Sequence, residues 1–435
     1  MKARSVLAAG LVVALILSLG ACAPAREHLT FRLWDPQVAE AYRSSLDAFE
    51  MESGFEVDLV VVPWADYWTQ LRLDIASGTV DDVFWTNAAN FQDYAAIGAI
   101  LPVTENQRRA QESGWVAAVV DQYAIDGTLW GVPQITDPGI AMLYNADILA
   151  EAGIDPDDLG ELSWDPYAPD DSLRAAARAL TIDSANLHPG EAGFQADRVR
   201  QYGFGAANDL NAVLLQFLAG NGSAWQDGDD FVFADTRGVA AIEYLVALIN
   251  SDYVAPNAAD TNPPAGGDFV RDQFLQGNVA LFPTGAYNLA NVAESADFTW
   301  GIAPFPTGPE GRHSVTNGVV AAASAVSDNS EGQAALLAWL GSAEGQVAIG
   351  ESGAALPACL DAQQAYRDVW ADRGVDLSPM LDILESETVQ APQGARYASA
   401  SRAMEQTLNE VFLGRVDVAV GLRDAQRAGN GAMDG

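Results

Sequence analysis

Lysine is almost missing from this chain. Lys2 is the only one in 435 residues, and the other 21 basic residues are arginines. Set against 59 acidic residues, this leaves a formal net charge of −37. Neutralising phosphates takes clustered Lys and Arg, so the balance argues against nucleic acid as a partner. It argues equally against docking on anionic lipid through a basic patch. Cysteine occurs only as Cys22 and Cys359, too few for a disulfide scaffold or a cysteine zinc cluster. The three histidines, His28, His188 and His313, are far apart and form no HExxH. No Walker motif is present, and Gly350-Glu351-Ser352-Gly353 falls short of a nucleophile elbow because Ala354 stands where the last glycine belongs. The reading is therefore no catalytic residues, no metal and no cofactor.

What is present points to packed domains outside the cytoplasm. A 49% hydrophobic content with 11 tryptophans excludes disorder despite the charge, and the length allows two or three domains. Lys2 and Arg4 precede an apolar run, Ser5 to Leu19, that is shorter than the roughly 20 residues of a membrane span. The run ends in Leu19-Gly20-Ala21-Cys22, which resembles a bacterial lipobox. It predicts a lipoprotein signal peptide over 1–21, a lipid on Cys22 and a tether over 22–27. An ordinary signal peptide is the alternative. Cys359 lies among Leu356, Pro357, Ala358 and Leu360 and reads as a buried structural thiol.

Periodicity gives an α/β chain. Strand patterns at 30–34, 55–61 and 82–86 alternate with helical spacing at 38–49 and 68–75, and Gly54 and Gly78 end the helices. Asp66 is placed as the cap of the second helix. This order predicts parallel strands with helices on both faces. The alternation returns at 202–205, 211–218, 239–249 and 278–282, so a second α/β lobe is expected. Acidic clusters at 155–158 and 227–230 read as solvated turns, since neither has EF-hand spacing.

Aromatic residues recur where strands end or helices begin: Trp34, Trp64, Tyr67, Trp85, Tyr287 and Tyr397. In open α/β sheets, ligands lie beyond the carboxyl ends of strands. Asp35, Asn87, Asn90, Asp137, Asn208, Asp209 and Asn317 fall in expected loops nearby. Rings can stack on the C–H faces of a sugar, and carboxylates and amides can hold its hydroxyls. Tyr42, Trp68, Trp339 and Trp370 fall within helical periodicity and are assigned to the core.

Several stretches, in order, resemble the family 1 extracellular solute-binding proteins, the lipoprotein receptors of sugar-importing ABC transporters. They include Phe31-Arg32-Leu33-Trp34-Asp35, Pro63-Trp64-Ala65-Asp66-Tyr67-Trp68, Asp126-Gly127-Thr128-Leu129-Trp130-Gly131-Val132-Pro133, Leu143-Tyr144-Asn145, Trp300-Gly301-Ile302-Ala303-Pro304 and Ser352-Gly353-Ala354-Ala355-Leu356-Pro357. Val80-Asp81 departs from the Ala-Pro of many relatives.

The resemblance implies a two-lobed, periplasmic-binding-protein-like fold of type II, with discontinuous lobes joined by a three-segment hinge. Crossovers are expected near Thr136–Gly139, Gly301–Pro304 and Ser352–Leu356. One lobe would hold 28–137 and 302–352, the other 138–301 and 353–435. Ligand contacts implied by position are Trp34, Asp35, Trp64, Trp85, Asn87, Asp137, Asn208, Asp209, Tyr287, Asn317 and Tyr397. Trp85 and Tyr287 are the expected stacking rings, and Asp137 the main acceptor. The implied function is a monomeric, membrane-tethered, extracytoplasmic receptor that delivers a carbohydrate to ABC permease subunits. A receptor for a polyamine or another polar small molecule is the runner-up on the same fold. A secreted polysaccharide hydrolase is the alternative from a different class, since acidic pairs are abundant.

Overall fold

The computed structural model describes residues 27–105, 107–108, 114–262, 266–385, 388–389 and 391–434. Cys22 and the rest of the expected signal peptide lie outside them. The first helix shows how the sequence sets its elements. Asp35 caps it by accepting the N–H groups of Gln37 and Val38 at 2.8 and 3.1 Å, and Pro36 opens it. Val38, Ala41, Tyr42, Leu46 and Phe49 form its buried stripe, and Gly54 ends helix Pro36–Ser53 in the left-handed region at φ 82°. The second helix, Trp64–Ser77, starts three residues earlier than Asp66 as its cap would set it. Pro63 precedes it, and Asp66 lies in its first turn, where a carboxylate suits the positive end of the helix.

Two mixed sheets carry the molecule. The first runs Glu56–Val61, His28–Leu33, Val83–Asn87, Asn317–Ser324 and Ile100–Leu101, with Val132–Asp137 also paired to Asn317–Ser324. Its first three strands are parallel, as the β-α-β-α-β order requires. Strand Asn317–Ser324 joins antiparallel from far along the chain. The second sheet runs Trp300–Ala303, Ile140–Asn145, Val279–Gly285, Val199–Phe204 and Ile182–Asp183. The antiparallel strands of both sheets were not foreseen, because a lone apolar strand does not reveal its partner's direction.

The chain passes between the sheets three times. It leaves the first after Asp137 and enters the second at Ile140. The stretch expected to hold the second crossover, Gly301–Pro304, includes the end of a strand paired to Ile140–Asn145. Beyond it, Thr307 bridges to Ser163, and Ser314 Oγ accepts the Ile140 N–H at 2.6 Å; the chain joins the first sheet at Asn317. On the third passage, Leu356 and Ala358 hydrogen-bond to Thr136 and Gln134, and helix Gln363–Asp372 then sends Tyr366 and Trp370 into the core of the second lobe. Cys359 is 4% exposed and unpaired, and burial pushes its thiol pKa up.

Tyr42 and Trp370 are buried as expected, whereas Trp68 and Trp339 are half-buried. No helix among the described residues is long and apolar enough to cross a membrane.

Candidate functional site

Strand ends of the first sheet build an aromatic platform. Trp34 follows strand His28–Leu33, and its ring meets four others: Trp64 at 5.3 Å, Tyr67 at 5.1 Å, Trp68 at 5.4 Å and Trp85 at 4.9 Å between centroids. Three of these contacts are edge-to-face, the arrangement that aromatic quadrupoles favour. The rings divide by depth. Trp64 is 47% exposed, Trp34 and Trp68 are half-buried, Tyr67 is buried and Trp85 is 1% exposed. Tyr67 Oη donates to the Trp85 carbonyl at 2.7 Å and fixes the floor. Trp85 thus lies under Trp34 as a support, with no free face in this conformation. Trp34 and Trp64 carry the open surface.

Polar groups surround this platform. Asp35 caps its helix beside Trp34, and burial raises its carboxyl pKa against two backbone donors. Asn87 ends strand Val83–Asn87, and its Oδ1 accepts Asn90 Nδ2 at 2.7 Å. Asn90 lies in helix Ala88–Ala96 rather than in a loop. Asp137 and Asn317 face each other in the ladder at the last residue of one strand and the first of the other.

The second sheet contributes a smaller, more acidic face. Strand Val279–Gly285 runs into a short turn of 3-10 helix bearing Tyr287, which is 43% exposed. Although the ring is open, desolvation around its hydroxyl, together with Asp209 and Asp137, pushes the Tyr287 pKa well up. Beyond strand Val199–Phe204, Asn208 donates to Asn409 Oδ1 at 2.9 Å and Asp209 caps a π-turn through the Ala212 N–H at 2.9 Å. Burial raises the Asp209 carboxyl pKa, and Asp268 adds to the rise. Burial also pushes Asp137 up to about 7, although it accepts the Gly139 N–H at 3.2 Å.

The two faces meet at Gly285. A Cβ there would stand 2.8 Å from Asp137 Oδ2 and 2.4 Å from Tyr287 Cε1, so only glycine fits. Asp137, Asp209 and Tyr287 are therefore brought together, as is the Trp34 platform with Asp35. Tyr397 stands apart. It is 4% exposed, begins helix Tyr397–Phe412 and packs on Phe231 at 5.9 Å between centroids.

Sequence reasoning missed the side chains that join the lobes. Gln37 Nε2 reaches Glu294 Oε2 at 3.2 Å, and Gln92 Nε2 reaches Gln393 Oε1 at 3.4 Å. Beside the second pair, burial raises the Asp93 carboxyl pKa, an effect that Arg402, Arg396 and Arg72 partly offset. Glutamines carry no pattern of their own, so nothing in the sequence marked them.

Comparison with known proteins decides the family. The description "Bacterial extracellular solute-binding protein" matches residues 35–347. The chain belongs to this family. It is thus an extracytoplasmic solute-binding protein and a receptor rather than an enzyme. The crystal structure of UspC from M. tuberculosis is 44% identical, with a TM-score of 0.73 over 93% of this chain and 100% of that one. A substrate-binding protein of Listeria monocytogenes, solved with cycloalternan, is 19% identical, with a TM-score of 0.79 over 94% of this chain and all of that one. It shares the two-lobed fold of this solute-binding protein. A lactose-binding protein of Rhizobium radiobacter is 23% identical over 320 residues, 70% of this chain. The solute-binding protein spans 66% of that relative's length, just under two-thirds.

Proposed function

We propose that the protein captures a carbohydrate between its lobes and passes it to an ABC permease. One observation carries this reading. Trp34 and Trp64 offer open ring surface on one lobe and Tyr287 on the other, while carboxylates and amides crowd the same strand ends. Flat rings suit C–H faces, and buried acceptors suit hydroxyl rims. The lactose-binding relative and the structure with cycloalternan support the ligand class.

Asp35, Asn87, Asp137, Asn317, Asn208 and Asp209 are the proposed hydrogen-bonding partners. Tyr397 and Trp85 act from behind this layer. The lobes are proposed as 28–137 with 302–352, and 138–301 with 353–435, except that the second boundary moves past Ala303, because Trp300–Ala303 pairs with Ile140–Asn145. Cys22 is the proposed lipid attachment, and a monomer is the proposed form.

A thermal-shift screen of the mature chain with lactose, maltose, tagatose, glucosamine and spermidine tests the reading. A tight ligand binds only the folded state and raises the melting temperature by mass action. A rise with at least one sugar is expected, and a flat response to every sugar would remove the proposal.

One observation favours the second reading, a ligand that carries an amine. The groups acting on Asp137 and Asp209 among the described residues are backbone donors and Asp268, with no cation opposite. A protonated amine would supply the missing charge. Spermidine shifting the melt while every sugar leaves it flat would select this reading.

A further inference from the structure

Two buried glutamines lie where the chain crosses between lobes. Gln134 is fully buried on strand Val132–Asp137. Its Nε2 stands 3.0 Å from the Val132 and Pro133 carbonyl oxygens and 3.1 Å from that of Leu340. Gln346, also fully buried, donates to the same Pro133 and Leu340 oxygens at 2.7 and 2.9 Å, and its Oε1 accepts the Cys359 N–H at 2.8 Å. The main chains join in the same place. Ala358 N–H donates to Gln134 O and Thr136 N–H to Leu356 O, both at 3.0 Å. The Gln346 amide thus ties the first crossing segment at Pro133 to the third at Cys359, while the Gln134 amide braces the first against Leu340 and meets the third only through its main-chain carbonyl. Both amides sit beside Pro133, which has no N–H to give, and near the register shift between Val319 and Val320.

The remaining atom of this network points away from the crossings. Gln134 Oε1 accepts Tyr42 Oη at 2.6 Å, and both side chains are fully buried. The Tyr42 ring lies edge-on to Trp85 at 6.1 Å, and Trp85 holds Trp34 at 4.9 Å. Tyr42 therefore links the first crossing segment, through its hydroxyl, to the floor of the aromatic platform, through its ring.

We propose that Gln134 is a positioning residue that braces the first crossing segment against the Pro133 and Leu340 carbonyls it shares with Gln346, whose amide holds the third, and that through Tyr42 it couples this alignment to the seating of Trp85 and Trp34. A satisfied buried amide network has few alternative arrangements, because breaking one bond strands its partner without water. Closure bends the chain at a few residues next to such fixed points. The consequence for ligand capture rests on the proposed function, but the mechanical coupling does not.

The test adds no sugar, so its outcome is independent of the ligand. Hydrogen exchange reads the hinge at the Ala358 and Cys359 N–H groups. Fluorine NMR of 5-fluorotryptophan reads the platform at Trp34, assigned with Trp34→Phe. Tyr42→Phe should speed exchange at Ala358 and Cys359 about tenfold, as expected for losing one buried hydrogen bond, with strand His28–Leu33 unchanged. Gln346→Met, which does not touch Tyr42, should move the Trp34 resonance. The pair Tyr42→Phe with Gln134→Met should be no worse than Gln134→Met alone. Wild-type exchange at Ala358 and Cys359 in Tyr42→Phe, or an unmoved Trp34 resonance in Gln346→Met, overturns the proposal. If Gln134→Met fails to fold, these two single variants decide it.

Discussion

The two lobes meet the cleft with different chemistry. The first offers rings stacked on rings, held by edge-to-face contacts and by Tyr67 from below. The second offers one exposed ring and buried carboxyl and amide groups. Packing settles the shape of the first face before any ligand arrives. On the second face, charge without a counterion leaves free energy that a ligand or a proton can recover. In the proposed receptor the first face would orient the ligand and the second would discriminate among ligands.

That contrast can be broken most forcefully at its deepest ring. Trp85→Ala should cost about 3–5 kcal/mol of stability, the usual loss for a buried aromatic. Chemical denaturation measures it, and a midpoint close to wild type would show that the floor does not support the platform. Trp34→Ala and Tyr287→Ala should each weaken sugar binding by about 1–3 kcal/mol, by analogy with stacked bases. Tyr287→Ala should do so with little change in melting temperature, whereas Trp34→Ala should lower both. Calorimetry and thermal melts on the same samples separate the two faces, and equal profiles would erase the difference.

The acidic junction between the two faces, where Asp137 of the first sheet meets Gly285 of the second, is sharpened by pH. The Asp137 carboxyl is raised to about 7 in the folded protein, so the folded state holds its proton more tightly than the unfolded chain does. Its contribution to stability is therefore fully present below the unfolded value near 4 and is lost as pH climbs through about 7. Asp35 and Asp209 act in the same direction, while Asp183 and Asp376, with lowered values, act in the opposite one. Asp137→Asn isolates the first of these. Its ligand-free melting temperature should fall less between pH 5 and pH 8 than that of the parent, and parallel curves would show that Asp137 is not the titrating group. The smallest effect is general. Self-repulsion at −37 should ease with salt, so the melt should rise between low and moderate ionic strength. A flat or falling trend would contradict it.

The pattern of the chain revealed what depends on local order. Strand His28–Leu33, helix Pro36–Ser53 and the stops at Gly54 and Gly78 follow from alternation, caps and glycine. Asp137, Asp209 and Tyr287 came from loop position and family likeness, and the fold brings them together. Depth was not legible. Trp34 meets both Trp85 and Trp64, yet one is 1% and the other 47% exposed, because Trp85 lies inside strand Val83–Asn87 in the middle of the sheet and Trp64 opens a helix at its rim. The antiparallel entry of Asn317–Ser324 depends on contacts over 180 residues distant in sequence, which no local window contains.

The buried state of Cys359 has a practical consequence. With Cys22 changed to serine, the remaining thiol is shielded and shifted away from the reactive thiolate. A cysteine introduced at Gln37 or Gln393, on the rims that touch across the lobes, would then be the sole handle for a maleimide dye. The molecule could thus be turned into an optical reporter of its own cargo.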